Sequence, residues 1–485
     1  MTDASATKGK IKKKKEGTKL EKKPGIFTRF FTGLFQMIYD VIHGSIGTKI
    51  SCLFMGFGQI LQGQVVKGFL YFGIEVLFAL FMAFFGGNYL GKFLFSGHLG
   101  TVPTHDELSP DGIMEPVLGD DSQLILLFGL ASLIVVILFV TIWVMNIKGC
   151  IENDRTIEDG GKLRSIRQDV SRFFNERVYI TLLTPPMIGI LVFTVLPLIF
   201  MILIAFTNYD YQHLPPTHLF DWVGFDNFLN LFTSSGTSSF AMVFLRVLIW
   251  TFCWAFIATF SNYFAGILFA LAINKKGIKL KPLWRMFYVS VIAIPNFVTL
   301  LLMSKMLDVD GIFNTILGTH INWLGDTSNA SLLPRVMIIV VNMWIGIPYT
   351  ILMATGLLMN VDDKMMEAAA LDGAGPFQRF IRIILPYMLH ATGPYLITQF
   401  IGNLNNFNVI WLLTGGGPGD NILYGGANAK STDLLVTWLF RMTTGVNPQY
   451  NMASVIGIIV FIISAVFALF TFRRSAAMKN EEEYQ

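Results

Sequence analysis

Four asparagines and three aromatic residues are grouped in one short, otherwise apolar stretch. The group comprises Phe400, Asn403, Asn405, Asn406, Phe407, Asn408 and Trp411. Because Asn403 and Asn406 are three residues apart, they share one face of a helix. An amide both donates and accepts hydrogen bonds, which suits a neutral ligand rich in hydroxyl groups, and aromatic rings can cover the apolar faces of that ligand. The alternative is that these amides join neighbouring helices by hydrogen bonds.

Glu75 is the one ionisable residue near the middle of an apolar segment long enough to cross a membrane. Ionisable residues are rare in such segments, and by default each is a candidate for a proton or ion pathway. One isolated carboxylate provides no relay. We therefore favour a hydrogen bond between helices for Glu75, with a proton-coupled carrier as the alternative.

A third group of residues has a regular spacing on a more polar segment. Glu367-Ala368-Ala369 is followed by Gly373 and, after nine further residues, by Ile383, Leu385 and Pro386. The small alanine side chains permit close approach by a partner.

Local capping rules predict the structure around this group. Asp362 or Asp363 can cap a short helix, and Gly373 allows a sharp turn after it. Pro376 suits the first turn of a second helix, which Pro386 is expected to end or kink. The pattern predicts a protruding helix–turn–helix that serves as a docking element, and a simple connecting loop is the alternative.

Motifs of common enzymes are not found. The sequence contains no GxxxxGK[ST], HExxH or GxSxG, and the glycine-rich stretch 415–419 lacks the phosphate-binding lysine, so a turn is expected there. Cys52, Cys150 and Cys253 are far apart, which argues against a zinc site or a disulfide framework. We therefore assign no catalytic residue, no metal ligand and no cofactor to this chain.

The elements that carry these residues are predicted to be membrane helices. Of 485 residues, 53% are hydrophobic and only 14% charged, whereas soluble domains carry about 25% charge. A helix needs about 20 apolar residues to cross a bilayer. Eight segments meet this requirement: 67–86, 122–146, 179–206, 241–272, 286–306, 334–358, 389–414 and 452–472. A shorter apolar run, 50–61, is expected to be interfacial or re-entrant.

The basic residues are distributed asymmetrically between the connecting segments. With the N-terminus placed inside, the inner segments hold 29 Lys and Arg and the outer segments hold 3. Cytoplasmic loops carry the excess of basic residues, so both termini are predicted to be cytoplasmic. The tail between Lys8 and Lys23 contains nine lysines. It either attracts anionic membrane lipid or only fixes the orientation, and it contains no aromatic residue that would favour binding of nucleic acid.

These segments predict five parts of the chain. They are a basic cytoplasmic tail at 1–49, an accessory two-span membrane unit at 50–146, a cytoplasmic linker at 147–178, a six-span domain at 179–472 that includes the docking element at 359–388, and a cytoplasmic tail at 473–485.

The spacing Glu367-Ala-Ala-x-x-x-Gly373, nine residues, then Ile383-x-Leu385-Pro386 resembles the EAA loop of permeases of binding-protein-dependent (type I) ABC importers. The stretches 344–349, 405–407 and 412–418 agree with this family. The stretches 205–209 and 223–228 are similar to its sugar-transporting, MalF-like branch of maltose/maltodextrin permeases. The resemblance covers about 179–472.

The resemblance implies an all-α polytopic membrane protein of about eight transmembrane helices with a six-helix permease core, in the plasma membrane of a bacterial cell. The implied partners are a second, MalG-like permease subunit, a cytoplasmic ATPase dimer that uses ATP and Mg²⁺, an extracellular sugar-binding protein and an oligosaccharide such as maltodextrin. Glu367, Ala368, Ala369, Gly373, Ile383, Leu385 and Pro386 would couple the chain to the ATPase.

The resemblance also implies substrate contacts from three stretches of the chain. These are Asn296 after Pro295, then Ile345, Gly346 and Tyr349, and then Gly402, Asn403 and Asn406. In this interpretation Tyr349 stacks on a sugar ring and the asparagines bind its hydroxyl groups. An ion-coupled secondary transporter and a membrane-bound enzyme are the alternatives from other functional classes.

Overall fold

A computed structural model describes residues 26–108, 111, 114–233, 239–275, 277–325, 332–419 and 423–474. The lysine-rich tail and the C-terminal tail after residue 474 lie outside the described residues. The predicted all-α architecture is confirmed, since helices form almost all of the regular structure. The chain divides into two compact units, Met1–Asn88 with Ala131–Gly189 and Tyr89–Leu130 with Ile190–Gln485.

The first unit is built from short helices around one long helix. Its elements are α1 (Ile26–His43), α2 (Ile46–Ser51), α3 (Phe57–Leu61), α4 (Val65–Phe81), the second part of α6 (Ser122–Glu158), α7 (Ile166–Phe174) and most of α8 (Val178–Ile190). The predicted interfacial run 50–61 spans the end of α2 and all of α3. The chain turns between these two helices at Gly56, where φ is +83° and a glycine is favoured.

Amide side chains hold the short helices of this unit against α6. The Gly56 N–H donates to Asn146 Oδ1 at 3.1 Å, and Gln59 Nε2 donates to the Asn146 carbonyl at 3.0 Å. The Met55 N–H donates to Glu75 Oε2 at 2.8 Å. Glu75, the single acidic residue of the first apolar span, therefore bonds to the turn between α2 and α3 of its own unit, and the predicted hydrogen bond has a turn rather than a second helix as its donor.

The second unit begins at Tyr89 within α5 (Gly87–Phe95), a helix that continues α4 through a π-helical turn at Met82–Gly86. An antiparallel hairpin follows, in which β1 (His105–Leu108) pairs with β2 (Met114–Val117). The Asp120 carboxylate after the hairpin accepts from Lys92 Nζ at 2.6 Å and from the Thr101 N–H at 2.9 Å. Burial alone would raise the pKa of Asp120, but these hydrogen bonds lower it overall.

The remaining helices of the second unit follow in chain order. A π-helical turn at Leu191–Val195 joins α8 to α9 (Leu196–Ile204), and another at Phe380–Ile384 joins α17 (Pro376–Arg379) to α18 (Leu385–Leu404). The helices are α10 (Asp226–Thr233), α11 (Phe240–Asn274), α12 (Lys281–Ala293), α13 (Asn296–Met306), α14 (Ile312–Leu317), α15 (Leu332–Leu358), α16 (Asp363–Leu371), α17 (Pro376–Arg379), α18 (Leu385–Leu404), α19 (Phe407–Thr414), α20 (Leu435–Thr444) and α21 (Tyr450–Arg474), with a 3₁₀ turn at Gly425–Ala427.

Six helices among the described residues are long and apolar enough to cross a membrane. They are Val65–Phe95, Ser122–Glu158, Val178–Ile204, Phe240–Asn274, Leu332–Leu358 and Tyr450–Thr471. The chain is therefore a multi-pass membrane protein. Helices α12 and α13 form a seventh candidate span that bends by 91°. Proline disfavours a helical conformation of the residue before it, and Ile294 before Pro295 is accordingly extended, with ψ of 128°.

The predicted span 389–414 is divided between α18 and α19. The break lies at Asn405 and Asn406, where the Asn406 side chain accepts from the Val409 N–H at 3.3 Å and caps α19. An asparagine side chain that bonds to the backbone in this way competes with continuation of the helix.

Helices α11 and α15 form the centre of the second unit. The buried residues of α11 recur every three or four positions from Val243 to Ile273, which is the spacing of a helix face that packs along its whole length. Trp254 and Ile338 are fully buried in the cluster between α11, α13, α15 and α19. This packing fixes the positions from which the polar residues of α11 and α15 project.

Candidate translocation site and coupling loop

A cavity of about 410 Å³ lies between α11, α13, α15, α18 and α19 of the second unit. Its lining contains no charged residue and is rich in amide and hydroxyl groups. The polar lining residues are Thr259, Asn262, Tyr263, Asn296, Asn342, Tyr349, Thr350, Tyr395, Gln399, Asn403, Asn406 and Asn408. Leu300, Ile345, Leu396 and Val409 supply the apolar part. Such a lining can bind a neutral polyhydroxylated molecule through both its hydroxyl groups and its apolar faces.

The structure brings six of the seven predicted substrate residues together around this cavity. They are Asn296, Ile345, Gly346, Tyr349, Asn403 and Asn406. Tyr349 is 44% exposed and can contact a ligand, whereas Ile345 is buried. Gly402 is exposed on α18 and is not among the lining residues.

Asn403 and Asn406 also bond to the protein itself. Asn403 Nδ2 donates to Thr259 Oγ1 on α11 at 2.9 Å, and Asn406 Nδ2 donates to Asn403 Oδ1 at 3.2 Å. Each amide NH₂ has a second hydrogen, and each amide oxygen a second lone pair. The two interpretations of these asparagines are therefore compatible, since the same amides connect helices and retain hydrogen-bonding capacity toward the cavity.

Asn262 and Asn342 line the same cavity and were missed from sequence. Asn262 Oδ1 and Asn342 Nδ2 are buried and have no hydrogen-bond partner among the described residues. A sugar hydroxyl can donate to the first atom and accept from the second. A single amide in the middle of an apolar span was the signal that could have found both residues.

Gly346 allows α15 to approach the amide of Asn262. A Cβ added at Gly346 would lie 2.7 Å from Asn262 Cγ, which is closer than side chains tolerate. Gly356, ten residues further along α15, has no atom within 4 Å of such a Cβ. A methyl group at the first position would therefore have to displace the Asn262 side chain or α15 itself, whereas one at the second position would displace nothing.

The predicted docking element forms a helix–turn–helix. The Asp362 side chain caps α16 by accepting from the Lys364 N–H at 2.9 Å. The chain turns at Gly373, where φ is +80°, and the Ala374 N–H donates to the Ala369 carbonyl at 2.9 Å. These observations agree with the capping and turn rules, and they select Asp362 rather than Asp363 as the cap.

Pro386 does not end the second helix of this element. The chain stays helical from Pro376 to Leu404, because the π-helical turn Phe380–Ile384 directly precedes the first turn of α18, in which Pro386 lies. A proline is tolerated in the first turn of a helix, and wider π turns commonly accommodate local irregularities of this kind.

The docking element at 359–388, called the coupling loop below, presents both polar and apolar side chains to its surroundings. Glu367, Ala368, Gly373 and Pro386 are exposed, whereas Ala369, Ile383 and Leu385 are half-buried. Leu371 and Phe377 are 89% and 75% exposed on either side of the turn. An exposed turn flanked by large apolar side chains is a surface that a partner protein can cover.

An ion pair fixes the glycine-rich turn after α19. Arg441 Nε donates to Asp433 Oδ2 at 3.1 Å, and Arg441 Nη2 donates to the Gly415 carbonyl at 2.5 Å. The Asp433 side chain is fully buried and that of Arg441 is 12% exposed. Gly415 and Gly416 have positive φ angles, as the predicted turn requires.

Comparison with known proteins identifies the family. Residues 262–477 match the model of the family described as "Binding-protein-dependent transport system inner membrane component". The chain is 34% identical over 437 residues to the maltodextrin transport system permease protein MdxF of Bacillus subtilis (strain 168), a match that covers 88% of this chain and 95% of that protein. The chain belongs to this permease family. It is also 31% identical to the galactooligosaccharides transport system permease protein GanP of Bacillus subtilis (strain 168), over 88% of this chain and 96% of that protein.

A solved structure shares the fold of the permease. It is the crystal structure of a bacterial ABC transporter involved in the import of the acidic polysaccharide alginate, with a TM-score of 0.50 and 23% identity over 64% of this chain and 98% of that chain. The family resemblance inferred from the EAA loop is thus confirmed. Because the relatives are transport permeases, the permease is a transport subunit and not an enzyme, and the ion-coupled carrier is set aside as well.

Proposed function

We propose that the permease forms the translocation pathway of an ATP-driven importer for neutral oligosaccharides, with maltodextrins as the first candidate substrate. The observation that carries this proposal is the uncharged cavity lined by amide, hydroxyl and aromatic side chains. A polyanionic sugar would need lysine or arginine for charge-assisted hydrogen bonds, and none lines the cavity. The names of MdxF and GanP, both of which transport oligosaccharides, support the substrate class.

In this proposal the cavity binds sugar through amides that have no protein partner among the described residues. Asn262 and Asn342 exchange hydrogen bonds with hydroxyl groups, and Asn296, Asn403 and Asn406 add further donors and acceptors. Buried polar groups of this kind reject an analogue that lacks the matching hydroxyl, because they would remain unpaired in that complex. The aromatic ring of Tyr349 covers an apolar face of the sugar.

Coupling to ATP hydrolysis would use the coupling loop 359–388. Glu367 and Gly373 lie on its exposed surface, where a cytoplasmic ATPase dimer that consumes ATP and Mg²⁺ can bind. A second, MalG-like permease completes the pathway, and an extracellular sugar-binding protein delivers the substrate. The binding protein and ATP drive transport only if each prefers the outward-open state, because a ligand with equal affinity for both states shifts nothing. Both termini are cytoplasmic in this arrangement.

Substitutions at the cavity test the substrate site. Asn296→Ala and Tyr349→Ala remove side chains for which no hydrogen bond to another described residue is seen, so they should weaken sugar uptake without disturbing assembly of the transporter. Asn405→Ala is the matched control, since Asn405 lies in the same asparagine-rich stretch, bonds to the Ile401 carbonyl and does not line the cavity. Equal uptake by the lining variants and the wild type would contradict the site.

Uptake competition tests the substrate class. Cells that express the complete transporter should take up labelled maltodextrin, and an excess of unlabelled maltodextrin should block this uptake, whereas an acidic oligosaccharide should not.

Co-purification tests the assembly, because affinity-tagged permease should bring an ATPase subunit with it. Uptake that persists after ATP depletion with the ion gradient intact would refute the ATP-driven mechanism.

A further inference from the structure

A second polar cavity lies where α13 ends, on the side away from the coupling loop. Its volume is about 340 Å³, and we call it the distal pocket. Gly325, which lines it, packs against Pro334 at the start of α15, whereas the coupling loop follows the end of the same helix. A helix of 27 residues is about 40 Å long, so the two features lie at opposite ends of a membrane span. The polar side chains that line the pocket are Ser304, Asp308, Asn322, Trp411 and Thr414.

An apolar layer separates the distal pocket from the cavity between α11 and α15. Leu300 on α13 and Val409 on α19 line that cavity. Ser304 and Leu413, one helical turn further along the same two helices, line the distal pocket. Leu300, Ile410 and Leu413 are buried in the cluster between these helices, and the Ser304 hydroxyl donates to the Leu413 carbonyl at 2.9 Å. The two cavities are therefore neighbours along the α13–α19 pair, with one buried layer between them.

The distal pocket offers hydrogen-bonding groups that the described part of the chain does not use. Asp308 Oδ1 accepts from the Val309 N–H at 2.8 Å, whereas no bond from a described residue to Oδ2 is seen. For the Asn322 side chain, likewise, no hydrogen bond to a described residue is seen. A hydroxyl donates to a carboxylate through a strong, charge-assisted bond, and an amide both donates and accepts. Both side chains can therefore bind hydroxyl groups of a ligand in the pocket.

The indole of Trp411 gives the distal pocket an apolar wall. The Arg441 guanidinium lies 5.1 Å from the centre of this ring, and the Phe440 ring meets it edge-on with the ring centres 4.9 Å apart. These neighbours hold the indole in place but leave Trp411 only half-buried. The rest of the ring can cover an apolar face of a sugar. Trp411 belongs to the asparagine-rich stretch of the sequence, yet it lines the distal pocket and not the cavity.

A buried amide fixes two sides of the distal pocket. Asn314 is 2% exposed, and its Nδ2 donates to the Asp308 carbonyl at 3.2 Å and to the Ile321 carbonyl at 2.7 Å. Its Oδ1 accepts from the Trp323 indole N–H at 3.0 Å. The chain is thus held at Asp308 and on both sides of Asn322. Groups that are already ordered lose less conformational freedom when a ligand binds.

We propose that the distal pocket is a second subsite for neutral oligosaccharide, which the sugar occupies before it reaches the cavity. A volume of about 340 Å³ is within the range of sites for small ligands. Asp308 is the one charged group among the described lining residues, so an acidic sugar would be repelled. This inference rests on the proposed function, which supplies the class of substrate and its direction of travel.

Hydrogen exchange of the complete transporter in nanodiscs tests the subsite. The probe is maltotriose, and amide exchange is followed at 321–325 and 414–417, with the exposed hairpin β1–β2 as an internal control. We expect maltotriose to slow exchange in both segments in a saturable manner and to leave the hairpin unchanged. Exchange in both segments that does not respond to maltotriose would overturn the proposal.

A matched pair of aspartate substitutions tests the contact. Asp310 lies two residues after Asp308 and does not line the pocket. Asp308→Ala should raise the maltotriose concentration for half-maximal protection about tenfold or more, because a hydrogen bond to a charged group is lost, whereas Asp310→Ala should match the wild type. Asn322→Ala should raise this concentration as well, and it keeps the test valid if Asp308→Ala folds poorly. The same half-maximal concentration in the wild type and all three variants refutes the subsite.

A variant of the cavity separates the two sites. Asn296→Ala with Tyr349→Ala changes the cavity alone, so maltotriose should still protect 321–325 in that variant. Loss of this protection would show that the effect spreads from the cavity, and it would overturn the second subsite. If the cavity variant loses sugar uptake while the Asp308 and Asn322 variants bind and transport like the wild type, the distal subsite fails and the proposed function stands. If the complete transporter takes up no maltodextrin, the proposed function fails and the subsite with it.

Discussion

The substitution Gly346→Ala tests whether the cavity depends on the close approach of α15 to Asn262. The added methyl group would lie 2.7 Å from Asn262 Cγ. Either α15 moves away from α11, or the Asn262 amide rotates out of its position at the cavity. Both responses alter the site, although the substitution is the smallest that can be made at a glycine.

The magnitude follows from two opposing effects. Overpacking costs about 1–3 kcal/mol, and the Gly→Ala change in a helix returns up to about 1 kcal/mol through the higher helix propensity of alanine. Gly356→Ala on the same helix brings the second effect without the first, because its Cβ meets no atom within 4 Å. The difference in free energy of unfolding between the two variants should therefore equal the overpacking cost of about 1–3 kcal/mol.

Thermal unfolding of the purified transporter and sugar uptake measure the two consequences. Gly346→Ala should lower the midpoint of unfolding and weaken uptake, whereas Gly356→Ala should leave uptake unchanged. The double variant Asn262→Ala with Gly346→Ala removes the amide that the methyl group meets. Residues in contact deviate from additivity by about 0.5–3 kcal/mol, so the double variant should be more stable than the sum of the single effects predicts.

Two results would refute this reasoning. If Gly346→Ala and Gly356→Ala behave alike, the packing at Gly346 does not matter for the cavity. If the effects of Asn262→Ala and Gly346→Ala simply add, the methyl group is accommodated elsewhere. Stability restored without uptake would instead assign Asn262 a direct role in sugar binding, since then the clash is relieved but the ligand contact is missing.

Three further predictions concern the regions on either side of the cavity. Gly373→Pro removes the N–H that donates to the Ala370 carbonyl and cannot adopt the positive φ of Gly373, so it should abolish sugar-stimulated ATP hydrolysis by the assembled transporter. Gly375→Ala is the control, because φ at Gly375 is −68° and suits alanine. Intact stimulation in the proline variant would contradict the coupling role. Asp433→Asn leaves the Arg441 cation buried without its counter-ion, so it should lower the free energy of unfolding by about 3–5 kcal/mol. A decrease below about 1 kcal/mol would show that water takes the place of the lost carboxylate. The pKa of Asp120 in the folded protein is below its ordinary value. The stability that its lysine and backbone partners contribute is therefore present above about pH 4 and is lost as the pH falls through the pKa of the folded state. The loss should be at most about 1 kcal/mol, should be measurable by hydrogen exchange around the hairpin, and should be absent in Asp120→Asn.

The coupling loop could be predicted from sequence in detail because local rules determine it. An aspartate at the start, a glycine at the turn and a proline after it each act within a few residues, and the structure shows a cap at Asp362, a positive φ at Gly373 and a helix that begins at Pro376. Pro386 was expected to end or kink the helix, and the helix does not end there, because a π turn precedes the proline and no local residue pattern predicts that turn.

The cavity could be predicted only in part, because it is formed by helices distant in sequence. Asn403 and Asn406 could be predicted because they belong to a cluster of asparagines. Asn262 and Asn342 are single amides in apolar spans, and only the packing of α11 against α15 shows that they line one cavity. The same limit applies to Gly346. Its small size matters because of a residue 84 positions earlier, and a sequence without a structure does not show that contact.

In the proposed sugar site, amides without a protein partner would make binding both selective and reversible. Asn262 Oδ1 and Asn342 Nδ2 have no hydrogen-bond partner among the described residues, so both atoms are available to a ligand. A sugar with hydroxyl groups in the right places would pair with both atoms, whereas an analogue without these hydroxyl groups would leave them unpaired in the complex. Because neutral amides offer no ionic attraction, the free energy of binding stays moderate. A small relative movement of α11 and α15, which meet at Gly346, would then suffice to weaken the site and release the sugar.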